Sequence, residues 1–373
     1  MSKLKTVGYE LRDIAVVQAP VSFCNHRGDV NPFVNICGRE CYPIFVAPMT
    51  SVTDQHNYRT WIENGLTPVI PRSVQKSDNN PGGLTFEERM GLAKETFVSV
   101  SLKEAQEELC DYFNVSEYGE LAYTWYICID IAHGTLNDLY DVCKKLKALC
   151  GNHIVIMAGN VANPGAYSFY ADAGVDFCRV GVGGGSRCTS SANVSVHYPM
   201  ATLLDQLNEE RKAYAHSHNG NAPTKIIADG GIGWFDDIQK ALALGADAVM
   251  CGKIFAECEE ACEPIYYAES LEKAMKKENR HTERTNDMLK PFRDYYGMST
   301  KRAQRETGGS GNRTSEGIDR PVEVKYPVSK WVDNMQSYLR SCMTYTNSRT
   351  VQELRENSQV IILGGSGDAA YRK

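Results

Sequence analysis

Short apolar runs recur along the chain, separated by segments whose apolar residues have helical spacing. Eight such runs are present, each five to seven residues long, and several are apolar at successive positions rather than at alternate ones. A strand that is buried on both faces has this pattern, as in a parallel sheet. The runs predict strands at 43–47, 67–71, 97–101, 125–131, 153–159, 177–183, 225–231 and 248–253.

The segments between these runs predict helices, for example at 136–149 and 234–244. Alternating strands and helices indicate a parallel sheet, and eight such units favour closure into a (β/α)8 TIM barrel. An open, doubly wound sheet is the alternative, because a strand count read from sequence errs by about one or two. Residues 1–373 fit one catalytic barrel domain with insertions.

The regular pattern stops after the eighth unit. Residues 264–320 are rich in charge and glycine, which predicts an excursion above the barrel with a flap at approximately 300–320. A solvated loop is the simpler interpretation of the same composition. A closing helix is expected around 331–342, and the polar, glycine-rich end from residue 364 predicts a flexible terminus.

Charge and hydropathy narrow the classes of partner. The net charge of −6 argues against a nucleic-acid or anionic-membrane binder, since either usually has a basic surface. The first residues lack the apolar segment of a secretion signal, and no apolar run approaches the roughly 18 residues of a membrane span. These features predict a soluble cytoplasmic protein.

Thirteen cysteines are spread along the chain, and many lie in apolar runs, so mostly buried thiols are expected. Two pairs, Cys37 with Cys41 and Cys258 with Cys262, have an i, i+4 spacing that would place two thiolates on one helix face. Neither pair has the spacing of a zinc site or a histidine nearby in sequence. No metal site is therefore expected.

One loop has the composition of a reactive site. The sequence VGVGGGSRCTS, residues 180–190, ends a predicted strand with three consecutive glycines, which let a ligand approach the backbone closely. Ser186 adds a hydroxyl suited to a phosphate. Cys188 follows directly, where an electropositive ligand site would lower its pKa and make it a nucleophile. A structural cysteine is the alternative.

Two further glycine turns follow the seventh and eighth predicted strands, at 228–233 and 251–254. In barrels these two turns commonly bind phosphate through backbone N–H groups, and Lys253 would add a positive charge. Asp229 would accept hydrogen bonds from ribose hydroxyls, or else cap the following helix. Turns required only by the fold remain the alternative to a phosphate site.

Segments spread over nearly the whole chain share a further likeness. They are GYELRDIAVVQAP, PMTSVTD, IDIAHG, IMAGNV, VGVGGGSRCTS, IIADGGI, ADAVMCGKIFA, YYGMST, RTSEG and LRSCMTYTNSRTVQELRE. On these segments the chain resembles the IMP dehydrogenase and GMP reductase family. Members of that family have a barrel that binds a purine 5′-monophosphate and a nicotinamide dinucleotide, and they generally form homotetramers.

The resemblance implies that Cys188 attacks C2 of the purine to give a covalent thioimidate. It implies that the nucleotide lies against Met49, Ser186, Asp229, Gly231, Gly252, Lys253, Tyr296, Gly297 and Met298. It places the nicotinamide beside Asp130, Asn160, Gly181 and Gly183. Core packing is the alternative for Tyr296 and Met298, and turn hydrogen bonds are the alternative for Asp130 and Asn160.

The direction of the reaction depends on the flap. IMP dehydrogenases usually carry an Arg-Tyr pair there, which activates water, and insert a regulatory domain pair after the second or third strand. This chain has neither feature, and its YGMST, RTSEG and IMAGNV segments resemble GMP reductase instead. That resemblance implies that GMP loses its 2-amino group as ammonia and that NADPH then reduces the intermediate to IMP.

The resemblance implies that Ser190, together with Glu316, transfers the proton to the leaving amine. The family has threonine at the first position, so Ser190 keeps the hydroxyl but lacks the methyl that restricts its rotamer. Gly184, Arg187 and Lys253 also depart from the family, which leaves a deoxy or modified purine nucleotide open as substrate.

Three other functions stay open at this stage. An NAD-dependent IMP dehydrogenase without regulatory domains would need Arg302, Arg305 or Arg313 to activate water. A flavin-dependent barrel would use the same phosphate turns. A non-catalytic nucleotide-binding barrel would need neither Cys188 nor Glu316.

Overall fold

Eight parallel strands close into a barrel at the centre of the molecule. The computed structural model describes residues 7–77, 80–114, 123–184, 193–276, 280–285, 287–297, 300–306 and 317–364. Its strands are β1 (Ile14–Val17), β2 (Val34–Ile36), β3 (Arg39–Cys41), β4 (Ile44–Val46), β5 (Thr67–Ile70), β6 (Phe97–Val100), β7 (Trp125–Asp130), β8 (Ile154–Val161), β9 (Phe177–Val180), β10 (Lys225–Asp229), β11 (Ala248–Cys251), β12 (Tyr266–Ala268), β13 (Lys290–Tyr295), β14 (Arg320–Glu323) and β15 (Gln359–Ile362).

The barrel consists of β4 to β11 in sequence order, and β11 pairs back with β4. Every pairing around it is parallel. The eight strands match the eight predicted runs, so the prediction of a closed barrel is confirmed and the open sheet is excluded.

Helices connect the successive strands of the barrel, and further helices follow its last strand. They are α1 (Tyr58–Glu63), α2 (Phe86–Leu92), α3 (Leu102–Glu104), α4 (Cys110–Asn114), α5 (Asn137–Cys150), α6 (Ala166–Asp172), α7 (Met200–Ser217), α8 (Phe235–Ala243), α9 (Lys253–Ala256), α10 (Leu271–Met275), α11 (Lys301–Glu306), α12 (Val328–Tyr345) and α13 (Val351–Asn357). A π-helical turn, Ala105–Leu109, joins α3 to α4. The predicted helices at 136–149, 234–244 and 331–342 correspond to α5, α8 and α12.

Two apolar layers explain the continuous apolar runs of the strands. Phe45 points into the barrel, whereas its neighbours Ile44 and Val46 pack outward against the helices. Inside the barrel Phe45, Phe97 and Phe177 contact each other edge to face, with ring centroids 5.7–5.8 Å apart. Since both faces of each strand are buried, the sequence shows no alternation there.

A hairpin of β2 and β3 closes the end of the barrel at which the strands begin. Its residues Ile36 and Cys41 belong to the same buried cluster as the interior phenylalanines. The opposite end, where the strands finish, carries the polar residues and glycine turns. In barrels of this type that end holds the functional site.

The excursion after β11 has its own sheet. Strands β12, β13 and β14 form a three-stranded antiparallel sheet, and the Arg280 guanidinium lies 3.9 Å from the centre of the Tyr266 ring. The simpler interpretation as a solvated loop is therefore wrong for this part. Of the predicted flap, residues 307–316 lie outside the described part of the chain.

The pairing of the two ends of the chain was not predicted. Strand β1 pairs antiparallel with β15, so that Ile14 lies opposite Ile362 and Val17 opposite Gln359. All four residues of β15 are exposed, so the segment lacks the burial pattern that identifies a strand in sequence. The predicted flexible end overlaps residues 365–373, which lie outside the described part.

The cysteine pairs do not lie on helices. Cys37 and Cys41 lie in the β2–β3 hairpin, and Cys258 and Cys262 follow α9, so the suggested helix-face arrangement is wrong for both pairs. Nine of the twelve described cysteines are buried, which confirms that most are core thiols. Among the described residues no cluster of three or more His, Cys, Asp or Glu side chains could hold a metal ion. Within the same residues no helix is long and apolar enough to span a membrane.

The interior phenylalanine cluster predicts a large stability effect. Phe97→Ala should lower the free energy of unfolding by about 3–5 kcal/mol, because it would leave a cavity inside the barrel beside the Phe45 and Phe177 rings. Phe23→Ala, the same change at a side chain that is 70% exposed, should alter it by less than about 0.5 kcal/mol. Urea denaturation measures both, and equal losses would contradict the packed interior.

Candidate functional site

Several residues assigned by the family resemblance lie outside the described part of the chain. They are Ser186, Cys188, Ser190, Met298 and Glu316. The segment that contains the cysteine joins the described structure at Gly184 and Asn193, and the segment that contains the glutamate joins it at Gly317. The described site is therefore the frame to which these segments attach.

The centre of this frame is Arg179, a residue of β9 whose side chain is only 7% exposed. Its guanidinium donates to Asp130 Oδ1 at 2.6 Å and to Asp229 Oδ2 at 2.7 Å. Gly159 on the neighbouring strand makes room for it, since a Cβ there would lie 2.7 Å from Arg179 Cβ. Arg179 thus links the ends of β7 and β10 across the barrel.

The buried charges shift each other's ionisation. Burial raises the pKa of Asp130, but the positive charges of Arg179 and Arg72 lower it by more, so the pKa ends below its ordinary value. Burial lowers the pKa of Arg179, and the Asp229 and Asp130 carboxylates raise it well above its ordinary value. The network therefore holds fixed charges rather than a group that exchanges a proton near neutral pH.

Asn160 joins the same network from β8. Its side-chain amide donates to Asp229 Oδ2 at 2.8 Å and to the Gly181 carbonyl at 3.0 Å. Asp229 is therefore a network residue and not the cap of the following helix. The N-cap position is Trp234, and Asp237 in the first turn accepts from the backbone N–H groups of Gly233 and Trp234.

The glycine loop after β9 and the glycine turn after β10 lie side by side. Gly181 and Gly183 have positive φ angles of 122° and 77°, and Gly231 has a φ of 76°. Among the described residues, only the Gly184 carbonyl would lie within 4 Å of a Cβ added at Gly231, at 3.9 Å. Within that part of the chain the backbone at Gly231 is open, as a phosphate site requires.

Four predicted nucleotide contacts meet on the other side of the barrel mouth. The Tyr295 hydroxyl donates to Met49 Sδ at 3.3 Å. A Cβ at Gly252 would lie 2.6 Å from Met49 Sδ, and one at Gly297 would lie 3.6 Å from Met49 Cε. The structure therefore brings together Met49, Gly252 and Gly297, and Tyr296 lies beside them, since its backbone carbonyl accepts from the hydroxyl of Ser51, two residues after Met49, at 3.2 Å.

The Tyr296 side chain packs inside the protein. It is 1% exposed, and its hydroxyl donates to Glu263 Oε2 at 3.2 Å. The guanidinium of Arg302 lies 4.1 Å from the ring centre and pairs with Glu263 at 2.5 Å and Asp294 at 3.5 Å. The Tyr296 side chain is therefore part of the core, and a ligand at this position would contact the backbone of Tyr296.

Lys253 begins the short helix α9 directly after Gly252. Its ammonium lies 3.7 Å from Glu257 Oε1, and its side chain is 43% exposed. Lys325 approaches the other oxygen of the same carboxylate at 2.9 Å. A phosphate at Gly252 would therefore compete with Glu257 for Lys253.

Two arginines of this site were not predicted from the sequence. Arg179 interrupts an apolar strand, and a charged residue inside such a run is the signal that marks it. Arg72 follows β5 at the same end of the barrel and lowers the pKa of Asp130. Its buried Nε has no hydrogen-bond partner among the described residues.

The chain is similar to known purine nucleotide enzymes. Residues 121–370 match the family described as "IMP dehydrogenase / GMP reductase domain". Inosine-5′-monophosphate dehydrogenase of Chlorobaculum tepidum is 32% identical over 254 residues, which is 65% of this chain and 46% of that protein. The enzyme of the same name from Streptococcus pyogenes is 33% identical over 254 residues, 65% of this chain and 45% of that protein. The chain thus spans about half the length of the curated relatives it matches.

Removal of the central guanidinium should lower the free energy of unfolding by an amount that depends on pH. In the native protein the lowered pKa of Asp130 contributes stability above its unfolded pKa of about 3.9, and this is lost as the pH falls through the folded value. In Arg179→Met, burial would instead raise the Asp130 pKa, so the charged form costs most at high pH. We expect a loss of about 3–5 kcal/mol at pH 8 and a smaller loss at pH 5.

Urea denaturation of both proteins at the two pH values measures these losses. Arg179→Lys is the matched control, because it keeps the positive charge but loses the planar fork that meets two carboxylates. It should lose less stability than Arg179→Met. A Met variant with the same loss at pH 5 and pH 8 would contradict the buried-charge explanation.

Proposed function

Because the chain belongs to the IMP dehydrogenase and GMP reductase family, we propose that it is a purine nucleotide oxidoreductase, and specifically a GMP reductase. The reaction would consume GMP and NADPH and yield IMP, ammonia and NADP. We also propose that residues 1–373 act as one catalytic domain in a homotetramer. The observation that carries the proposal is the junction at one barrel mouth of an open glycine turn, at Gly231, with the polar network around Arg179.

The nucleotide would lie across the two glycine segments. Gly231 and Gly252, with Ser186 and Lys253, would hold the 5′-phosphate, because backbone N–H groups and one cation suit a phosphate. Asp229 would accept hydrogen bonds from the ribose hydroxyls. Met49 and the backbone of Tyr296, Gly297 and Met298 would bound the base.

The cofactor side of the site fits a nicotinamide. Both N–H groups of Asn160 are engaged by Asp229 and Gly181, so the Asn160 carbonyl oxygen and the Asp130 carboxylate would act as acceptors for the N–H groups of the carboxamide. Arg179 fixes Asp130, and the Asn160 amide is fixed by Asp229. When bound, NADPH would supply the hydride that reduces C2 of the purine.

Covalent chemistry would begin at Cys188. Its thiolate would add to C2 of GMP, and the C2–N bond would break to release the 2-amino group as ammonia and leave a thioimidate. Ser190, oriented by Glu316, would deliver the proton that the leaving amine needs. After C2 is reduced, the C–S bond would break and return the thiolate with IMP.

The reductase direction is supported by the surroundings of Arg302. This arginine is one of three alternative candidates for activating water in an IMP dehydrogenase mechanism. Its guanidinium is paired with Glu263 and Asp294. The lack of an Arg-Tyr pair and the YGMST and RTSEG segments support the same direction.

IMP dehydrogenase is the second candidate. The relatives reported above carry that name, and they match this chain over 254 residues. In that direction IMP, NAD and water would give XMP and NADH, and Arg305 or Arg313 would have to activate the water.

Absorbance at 340 nm distinguishes the two directions. With GMP and NADPH we expect the signal to fall with release of one ammonia per NADPH, and Cys188→Ala should abolish it because no thioimidate can form. A rise with IMP and NAD alone would establish the dehydrogenase instead. An Ala variant with full activity would contradict the covalent mechanism in either direction.

Lys253 and Lys325 provide a matched pair for testing the phosphate site. Both approach the Glu257 carboxylate and are exposed to a similar extent, but only Lys253 follows Gly252. We expect Lys253→Ala to raise the KM for the nucleotide about tenfold through loss of a charge-assisted contact, and Lys325→Ala to leave it within about twofold. Equal effects in steady-state kinetics would assign Lys253 to the Glu257 pair alone.

A further inference from the structure

His197 lies between the glycine loop and the N-terminal segment. Its ring nitrogen Nδ1 is 2.9 Å from the Val182 carbonyl oxygen, and Nε2 is 2.8 Å from Glu10 Oε1. Val182 stands between Gly181 and Gly183, the residues that lead from β9 into the segment of Cys188. The imidazole therefore bridges a loop of the site and a residue far away in sequence.

Both partners of the imidazole are hydrogen-bond acceptors. A neutral histidine can donate from only one ring nitrogen, so the lone pair of the other nitrogen would face an oxygen. The imidazolium donates from both nitrogens and satisfies both oxygens. Burial lowers the pKa of His197, and the contacts with Val182 and Glu10 raise it by more, to above its ordinary value.

Glu10 itself is fixed by the start of helix α7. Its second oxygen, Oε2, accepts from the backbone N–H of Met200 at 3.0 Å, where the helix dipole favours a negative charge. Tyr9 exchanges two hydrogen bonds with Thr202, one to the side chain at 2.7 Å and one from the backbone at 3.2 Å. Glu10 is thus held independently of His197.

We propose that His197 is a positioning residue: its protonated ring, held by Glu10, fixes the Val182 carbonyl and thereby the glycine loop 181–184, which lies beside Gly231 at the proposed phosphate site. This inference deepens the proposed function and rests on it for the ligand. His197 touches no reacting atom. It acts through the backbone of the loop.

The sign of the pH dependence follows from these contacts. Since the folded pKa of His197 is raised, the clamp is complete below the unfolded value of about 6.5 and is lost as the pH rises through the folded value. Among the described residues, Glu10 is the charged group that faces the ring. Tyr198 is the nearest titratable group on its own segment, and its hydroxyl donates to Gln206.

Titration of His197 by NMR tests the clamp without any ligand. In Glu10→Gln the His197 pKa should be lower than in the native protein, because a neutral acceptor replaces the carboxylate. His218 is the matched control, since its ring contacts the Tyr214 carbonyl at 2.9 Å at the far end of α7 but has no carboxylate partner in the described structure. Its titration should not change.

Nucleotide binding tests the consequence. The dissociation constant for GMP, measured by calorimetry at pH 6 and pH 9, should be about threefold to tenfold higher in Glu10→Gln than in the native protein at pH 6. At pH 9 the two proteins should agree within about twofold. The ionisation of the GMP phosphate affects both proteins equally and cancels in the ratio. His197→Gln should give the same pattern, and His218→Gln should match the native protein at both pH values.

Two results would overturn the clamp: an unchanged His197 pKa in Glu10→Gln, or a ratio of dissociation constants that does not vary with pH. Amide hydrogen exchange of residues 181–184 separates the clamp from the proposed function. If neither GMP nor IMP binds at any pH, the proposed function fails. The clamp would then still be supported if the exchange protection of residues 181–184 falls with rising pH in the native protein but not in Glu10→Gln. The same pH dependence of protection in both proteins would refute it.

Discussion

The guanidinium of Arg179, buried inside the barrel, is the charge around which the polar end of the molecule is arranged. Removing such an ion from water costs several kcal/mol, so it must meet carboxylates with good geometry. Asp130 on β7 and Asp229 on β10 supply them, and Asn160 on β8 supplies an amide. Four consecutive strands thus each contribute one residue, and a shift of register in β7, β9 or β10 would separate a carboxylate from the guanidinium.

Stability alone does not account for this arrangement. Apolar residues of similar volume are often as stabilising as a buried ion network, and the other end of the barrel is filled in that way by Phe45, Phe97 and Phe177. The barrel therefore has an apolar half that supports its stability and a polar half at the ends of the strands. The polar half is useful as a set of fixed charges and dipoles for a ligand, since those groups need not reorganise when the ligand binds.

The fold was predictable wherever burial leaves a pattern in the sequence. The eight barrel strands and helices α5, α8 and α12 have such patterns, whereas β15 is exposed throughout and has none. The site was predictable only in part. The family resemblance pointed to Asp130 and Asn160, and the glycine turn after the seventh predicted strand pointed to Asp229, but neither signal pointed to their partner Arg179. Which side chains meet depends on strand register and on the room left by Gly159, and neither can be read from one sequence.

The division between frame and attached segments also explains why family membership and reaction direction are separate questions. The described frame consists of strand ends and tight turns, and it would bind a purine nucleotide in the same way whichever direction the reaction takes. The residues that would decide the fate of the thioimidate, Ser190 and Glu316, belong to segments that join this frame at Gly184 and Gly317. Strand packing and turn geometry constrain this frame, whereas the attached segments are constrained by the chemistry they perform. A protonated His197 would fix the loop that ends at the first junction, Gly184. It would thereby affect the position of the cysteine segment and not the chemistry that this segment performs.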